Sequence, residues 1–228
     1  ANHPEVGRAA VRVLNAFGYS VTVVERLGCC GRPLISKGQL ETARDWAAAN
    51  VSLLAPYAAR GIPIVGTEPS CILTLRDEYP DLLEGAEVQN VAAQAMLVDE
   101  LLARTLKEHP DLAEQFRPVV ATALLHGHCH QKAVAGMEST LSILAAIPDL
   151  DTTLIDSACC GMAGSFGFEA EHYDISQAMA ERTLIPAVLA APPGTEVLVT
   201  GVSCRQQITH FAGRRPRHVL ELLADALG

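Results

Sequence analysis

The chain has 228 residues, 49% of them hydrophobic, enough for one large domain or two modest ones that each bury a core. Its formal net charge is −9, and the only basic block is Arg214-Arg215-Pro216-Arg217, which excludes a nucleic-acid surface built on clustered Lys and Arg. No apolar run approaches membrane-spanning length, so the chain reads as soluble and not membrane-spanning.

No secretory signal opens the sequence, and the start at Ala1-Asn2-His3-Pro4 without Met reads as a piece of something longer or a trimmed end. A helix is expected from Pro4 to about Phe17, with Pro in the first turn and Gly18 as its stop. The β-branched run Val21-Thr22-Val23-Val24 predicts a strand leading into Gly28-Cys29-Cys30-Gly31. A helix over about 37–59 carries Leu40, Ala43, Ala47, Val51 and Leu54 on one face. Ile62 to Gly66 predicts a short strand that delivers Glu68-Pro69-Ser70-Cys71, where Glu68-Pro69 shapes a rigid turn before a helix from about 72 to 78. A weak strand over 88–91 and a helix over 92–106 follow, and the polar stretch 107–118 marks a boundary between halves.

The second half replays the order. A strand over 119–125 ends in His126-Gly127-His128-Cys129-His130-Gln131-Lys132, and a helix covers roughly 132–146. A strand over 152–156 gives Cys159-Cys160-Gly161. A helix over about 174–190, kinked at Pro186, precedes a strand over 196–200 that delivers Ser203-Cys204, and a helix over 218–227 closes the chain.

Seven cysteines without a signal peptide argue for reduced thiols in a cytosolic setting rather than a disulfide framework. They fall into two parallel sets. Cys29-Cys30-Gly31 maps onto Cys159-Cys160-Gly161 at an offset of 130, and Ser70-Cys71 onto Ser203-Cys204 at 133. The offset of 130 places the first set's counterpart of Cys129 just upstream of Ala1. This repetition predicts an α/β fold of two similar lobes, residues 1–112 and 113–228, each a short mostly parallel sheet flanked by helices and related by internal duplication.

The complete set, Cys129, Cys159, Cys160 and Cys204, suits tetrahedral Zn or an iron–sulfur cluster. Adjacent cysteines normally point apart and so reach different metal atoms, which favours a multi-iron cluster over a single Zn. Gly31 and Gly161 fit a backbone wrapping such a core at positive φ. His126, His128 and His130 flank Cys129 on alternating positions. They are either supporting groups or ligands, or else two solvated imidazoles and a turn cap, and the solvated reading carries the greater weight. Arg32, Lys37, Lys132 and Arg205 stand near the thiols as charges favouring thiolate or as plain surface cations. The run Gly161 to Gly167 is not a dinucleotide loop, because its spacing is not Gly-x-Gly-x-x-Gly.

The pattern Cys129…Cys159-Cys160-Gly161…Cys204 resembles the cysteine-rich CCG domain found in heterodisulfide reductase (in its B subunit) and in the iron–sulfur component of glycolate oxidase. The fuller strings around Cys129, Cys159 and Cys204, with Cys29-Cys30-Gly31-Arg32-Pro33-Leu34, are similar to the C-terminal iron–sulfur region of FAD-linked D-lactate and D-2-hydroxyacid dehydrogenases. That resemblance implies a [4Fe–4S] cluster on Cys129, Cys159, Cys160 and Cys204, and electron transfer between a flavin (FAD) domain or subunit and a downstream acceptor. The expected location is cytoplasmic, either free or peripheral to the inner face of the membrane. No flavin motif is visible in the chain, so FAD belongs to the parent protein or a partner, and the chain alone is not expected to turn over substrate. The closing Cys-x-x-Cys pair of heterodisulfide reductase is absent, since Ile72 follows Cys71 and Arg205 follows Cys204. The first set, Cys29, Cys30 and Cys71, is then an empty relic, a three-thiolate site completed from upstream, or a substrate-facing pocket. Direct disulfide reduction and a structural Zn scaffold are the rival functions.

Overall fold

The computed structural model describes residues 3–228; the opening Ala1-Asn2, and the upstream position where a fourth cysteine of the first set is expected, lie outside the described residues. The first helix, Pro4–Ala16, has Pro in its opening turn, and Gly18 at φ 85° turns the chain away. Its apolar face, Val6, Ala10, Val13 and Leu14, packs not on its sequence neighbours but on the last helix, Val219–Ala226.

Among the described residues six strands form two small parallel sheets, which places the chain in the α/β class as expected. The first sheet pairs β1 (Ile64–Gly66) with β2 (Ala95–Leu97), Ile64 opposite Ala95. The second contains β3 (Ala121–His126), β4 (Leu150–Leu154), β5 (Glu196–Val199) and β6 (Arg217–His218) in the order β4-β3-β5-β6. Parallel neighbours need crossovers, and helices supply them. The core follows the strand period: Leu198 of β5 faces the cluster shared with Pro4–Ala16 and Val219–Ala226, while Val197 and Val199 face the opposite cluster with Leu184, Val188 and Ile208. That opposite cluster also contains Cys160 and Cys204.

Five expectations are corrected. The helix expected over 92–106 is interrupted: Ala86–Gln94 ends, β2 follows, and a second helix runs over Val98–Glu108. The run Val21–Val24 forms no strand: it has no neighbouring strand to pair with among the described residues, and Val23 is 77% exposed. Residues 88–91 lie in the helix Ala86–Gln94, where Val88 and Val91 share one face against Leu40–Ala58. The helix expected over 132–146 is two, Cys129–Val134 and Glu138–Ala145, divided at Gly136 with φ 75°. The helix expected over 174–190 breaks before Pro186 rather than kinking at it. Tyr173–Glu181 ends, and Leu184–Ala190 restarts with Pro186 in its first turn, where a missing N–H costs no helical bond. Helices that were not foreseen include Arg32–Ser36, opened by Gly31 at φ 84°, Tyr79–Leu82 and Val202–Ala212. Among the described residues no helix is long and apolar enough to cross a membrane.

Candidate metal centre

Both sheets send their carboxyl ends towards one region, where open α/β sheets keep their sites. After β3 the chain runs through Gly127 and His128 into the helix Cys129–Val134, with Cys129 at its first position. His128 caps that helix, its Nδ1 accepting from His130 N at 3.1 Å. After β4 comes the Cys159-Cys160-Gly161 loop, with Gly161 at φ 97°. After β5, Thr200 and Gly201 lead into the helix Val202–Ala212, which carries Cys204 in its first turn.

The four sulfurs of the second set converge. The Cys160 and Cys204 sulfurs lie within 4.8 Å of one another, and Cys129 with Cys159, Cys159 with Cys160, and Cys160 with Cys204 are each near enough to shift the other's protonation. Cys160 and Cys204 are buried, Cys129 and Cys159 half-buried, and all seven cysteines are free thiols. In the adjacent pair, Cys160 is buried with its sulfur within 4.8 Å of the Cys204 sulfur, while Cys159 is half-buried.

The thiols share protons in alternation. Cys159 is held well below the usual thiol range by hydrogen bonds from Cys129 and Cys160, with the backbone N–H groups of Gly161 and Ala163 helping against burial. Gly161 N stands 3.4 Å from Cys159 Sγ. Cys204 is also pulled well down, by the Cys160 thiol first, against complete burial. Cys129 and Cys160 are pushed up, because each retains the proton it donates to a neighbouring sulfur. Sulfurs that crowd together and divide protons in this way form a donor set that a metal would relieve.

His126, the last residue of β3, is fully buried, and one of its ring nitrogens lies within 4.8 Å of the Cys160 and Cys204 sulfurs. The expected cap is His128, but the other two are not solvated: His126 is buried, and the His130 ring is nearly so. Burial, then the nearby Arg32, pushes His130 down to about 4.

In the first set Cys30 is buried while Cys29 and Cys71 are exposed. The Cys71 thiol donates to Cys30 and draws it down to about 6 despite burial, while Cys71 itself is pushed up. Asn50, which sequence reasoning missed, holds the loop: its Oδ1 accepts from Gly28 N at 2.8 Å, and its Nδ2 donates to Cys29 O at 3.0 Å and Tyr79 Oη at 2.9 Å. Nothing in a helix-interior Asn marks such a role except that it falls on the buried stripe with Ala47, Val51 and Leu54.

The two sets face each other across a polar seam. Glu68 Oε2 accepts from Val202 N at 2.8 Å, and burial raises its carboxyl. The turn expected at Glu68-Pro69 thus also caps the helix of Cys204. The cations expected to favour thiolate are each engaged elsewhere. Arg32 pairs with Glu78, Lys37 with Glu169, Arg205 with Glu221 at 3.1 Å, and Lys132 binds the carbonyls of Ser157 and Ala158. Lys132 therefore acts on the backbone of the cysteine loop rather than on its sulfurs.

Clustered thiols delivered at the ends of parallel strands, wrapped by glycine turns, define a cysteine-rich protein with a metal-type donor set. Residues 1–76 match the family model described as "CCG: Cysteine-rich domain". The match falls on the first set, Cys29, Cys30 and Cys71. The chain is 35% identical over 228 residues to the C subunit of anaerobic glycerol-3-phosphate dehydrogenase from Escherichia coli (strain K12), covering 99% of this chain and 56% of that one. It is 29% identical to "D-2-hydroxyglutarate dehydrogenase" of the same organism, covering 95% of this chain and 20% of the relative. It is 27% identical to "Lactate utilization protein A" of Exiguobacterium sp. (strain ATCC BAA-1283 / AT1b), covering 98% and 92%. The chain thus spans about half the length of the first of these relatives.

Proposed function

We propose that this chain is the iron–sulfur electron-transfer region of a flavin-linked dehydrogenase, with a [4Fe–4S] cluster held by Cys129, Cys159, Cys160 and Cys204. The observation that carries the reading is the convergence of four sulfurs from three separate segments, with one end of the set sealed in the core and the other half-open. When bound, such a cluster takes up and passes on single electrons. The residues of this chain do the rest. Cys160 and Cys204 anchor the buried end, Cys129 and Cys159 present the open end, and the N–H groups of Gly161 and Ala163 direct positive dipole at Cys159.

The parent oxidoreductase oxidises a secondary alcohol. Glycerol 3-phosphate and D-2-hydroxyglutarate, in the names of two relatives, both carry one, which widens the 2-hydroxyacid class read from the motifs. FAD sits in a flavin-binding domain or partner subunit, and electrons leave to a downstream acceptor at the cytoplasmic side, at or near the inner face of the membrane. The two cysteine sets mark two lobes, 1–112 and 113–228, of duplicated origin, and the three-thiol set of Cys29, Cys30 and Cys71 is a partial second site.

Anaerobic reconstitution with iron and sulfide tests this. About four irons and four sulfides per chain are expected, with an EPR signal on reduction, lost in Cys159→Ser and retained in Cys71→Ser. One tightly held Zn and no sulfide would instead identify a scaffold, and turnover of a disulfide by the isolated chain would identify a reductase.

A further inference from the structure

The buried end of the second set contains one more donor than the four cysteines. His126 is 0% exposed, Cys204 1% and Cys160 3%, and the three donor atoms lie within 4.8 Å of one another. The His126 ring is oriented from behind. Its Nδ1 meets Ser157 Oγ at 2.8 Å, and the Ser157 hydroxyl has the Ile155 carbonyl to donate to at 3.5 Å. That arrangement puts the ring proton on Nδ1 and leaves Nε2 as a bare lone pair. Nε2 is buried and, among the described residues, has no hydrogen-bond partner.

An unpartnered buried nitrogen beside two sulfurs is unfavourable unless something positive lies between them. Direct metal ligation by one ring nitrogen, with the other donating to a neighbouring oxygen, is the arrangement by which proteins fix a histidine ligand. The backbone is equally fixed, since His126 pairs with Val199 in the centre of the second sheet.

We propose that His126 Nε2 is itself an iron ligand of this site, at the buried end beside Cys160 and Cys204, so that the donor set is mixed sulfur and nitrogen. The inference rests on the iron–sulfur reading above. The other tautomer would make Nε2–H a hydrogen-bond donor to the Cys204 sulfur, and the two arrangements differ in how strongly the nitrogen couples to the electron spin.

Pulsed EPR on the reconstituted, reduced chain carrying 15N-histidine separates them. The expected result is a histidine coupling of the size of direct ligation, lost in His126→Gln and kept in a His128→Gln, His130→Gln double variant. The double variant makes the assignment even where His126→Gln does not fold, because those two are the other histidines flanking Cys129. Iron and sulfide in the expected ratio with only the several-fold weaker coupling of a hydrogen bond would overturn the proposal and leave the electron-transfer reading standing. A wild-type chain that binds no iron and sulfide would overturn both.

Discussion

Ser70 and Ser203 meet at a single atom: their hydroxyls lie 3.2 and 3.4 Å from His128 Nε2. Each immediately precedes a cysteine, Cys71 or Cys204, in the first turn of a helix, so the imidazole joins the openings of the two helices that carry the last thiol of each set. Glu68 reinforces the junction by accepting from Val202 N. Glu68→Ala is expected to cost about 1–3 kcal/mol, because it leaves that N–H without a partner in a half-buried seam. Glu68→Gln keeps an acceptor oxygen and should recover most of the loss. Urea denaturation of the three proteins checks this, and equal losses in Ala and Gln would show that capping is not what Glu68 contributes.

The two Cys-Cys-Gly turns should differ sharply in their tolerance of a side chain. A Cβ on Gly161 would lie 2.1 Å from the Ser176 carbonyl oxygen, on a backbone at φ 97°. A Cβ on Gly31, at φ 84°, would find nothing closer than 3.7 Å. Gly31→Ala then carries only the left-handed backbone penalty, about 1–2 kcal/mol. Gly161→Ala adds a backbone collision and should cost roughly 2–5 kcal/mol. Comparable melting temperatures for the two variants would contradict the packing described around Ser176.

What the sequence reveals and what it conceals divide along physical lines. The delivery of Cys129, Cys159, Cys160 and Cys204 to one end of the second sheet was legible because parallel strands all present their carboxyl ends to one side, whatever lies between them in sequence. The helix ends at Gly18 and Gly136 are signalled by the residue that positive φ favours, although only the first was read. Val21–Val24 has strand composition but no partner, and a strand exists only as a pair. Val88 and Val91 show the converse: their β-branched character loses to a helical spacing that buries both against Leu40–Ala58. Partners far apart along the chain stay hidden. Glu68 and Val202 are 134 residues apart, and nothing local in either predicts the other.

Asn50 provides a test confined to the first set. Its side chain makes three hydrogen bonds, to Gly28 N, Cys29 O and Tyr79 Oη, and the residue is buried. Asn50→Leu fills a similar volume but strands those groups, for an expected loss of about 2–4 kcal/mol. The Cys29-Cys30 loop should then exchange its amide hydrogens faster, while the loop of Cys159 and Cys160 keeps its protection. Hydrogen exchange followed by mass spectrometry reads both loops in one experiment. Uniform loss of protection across them would mean that Asn50 supports the whole fold rather than this loop.

His218 gives the stability of the protein a dependence on pH. Its ring is buried, with Nδ1 accepting from Leu220 N at 3.1 Å and Nε2 facing the carbonyls of Thr67 and Thr200 at 3.1 and 3.2 Å. Burial lowers its pKa from the usual 6.5 to about 4; the two carbonyls and Glu221 oppose that shift, and Arg205 adds to it. The folded chain therefore excludes a proton that the unfolded chain accepts below about pH 6.5. The contribution is fully present above that pH and is lost as the pH falls towards 4, by about 3 kcal/mol in all. His218→Asn retains a capping side chain for the helix Val219–Ala226 and has nothing to titrate. Urea denaturation from pH 7 to 4 should give a wild-type stability that falls relative to the variant across this window, with a slope approaching one proton per molecule. Parallel curves for the two proteins would mean that His218 is protonated as readily in the folded chain as in the unfolded one, and the burial argument would fail.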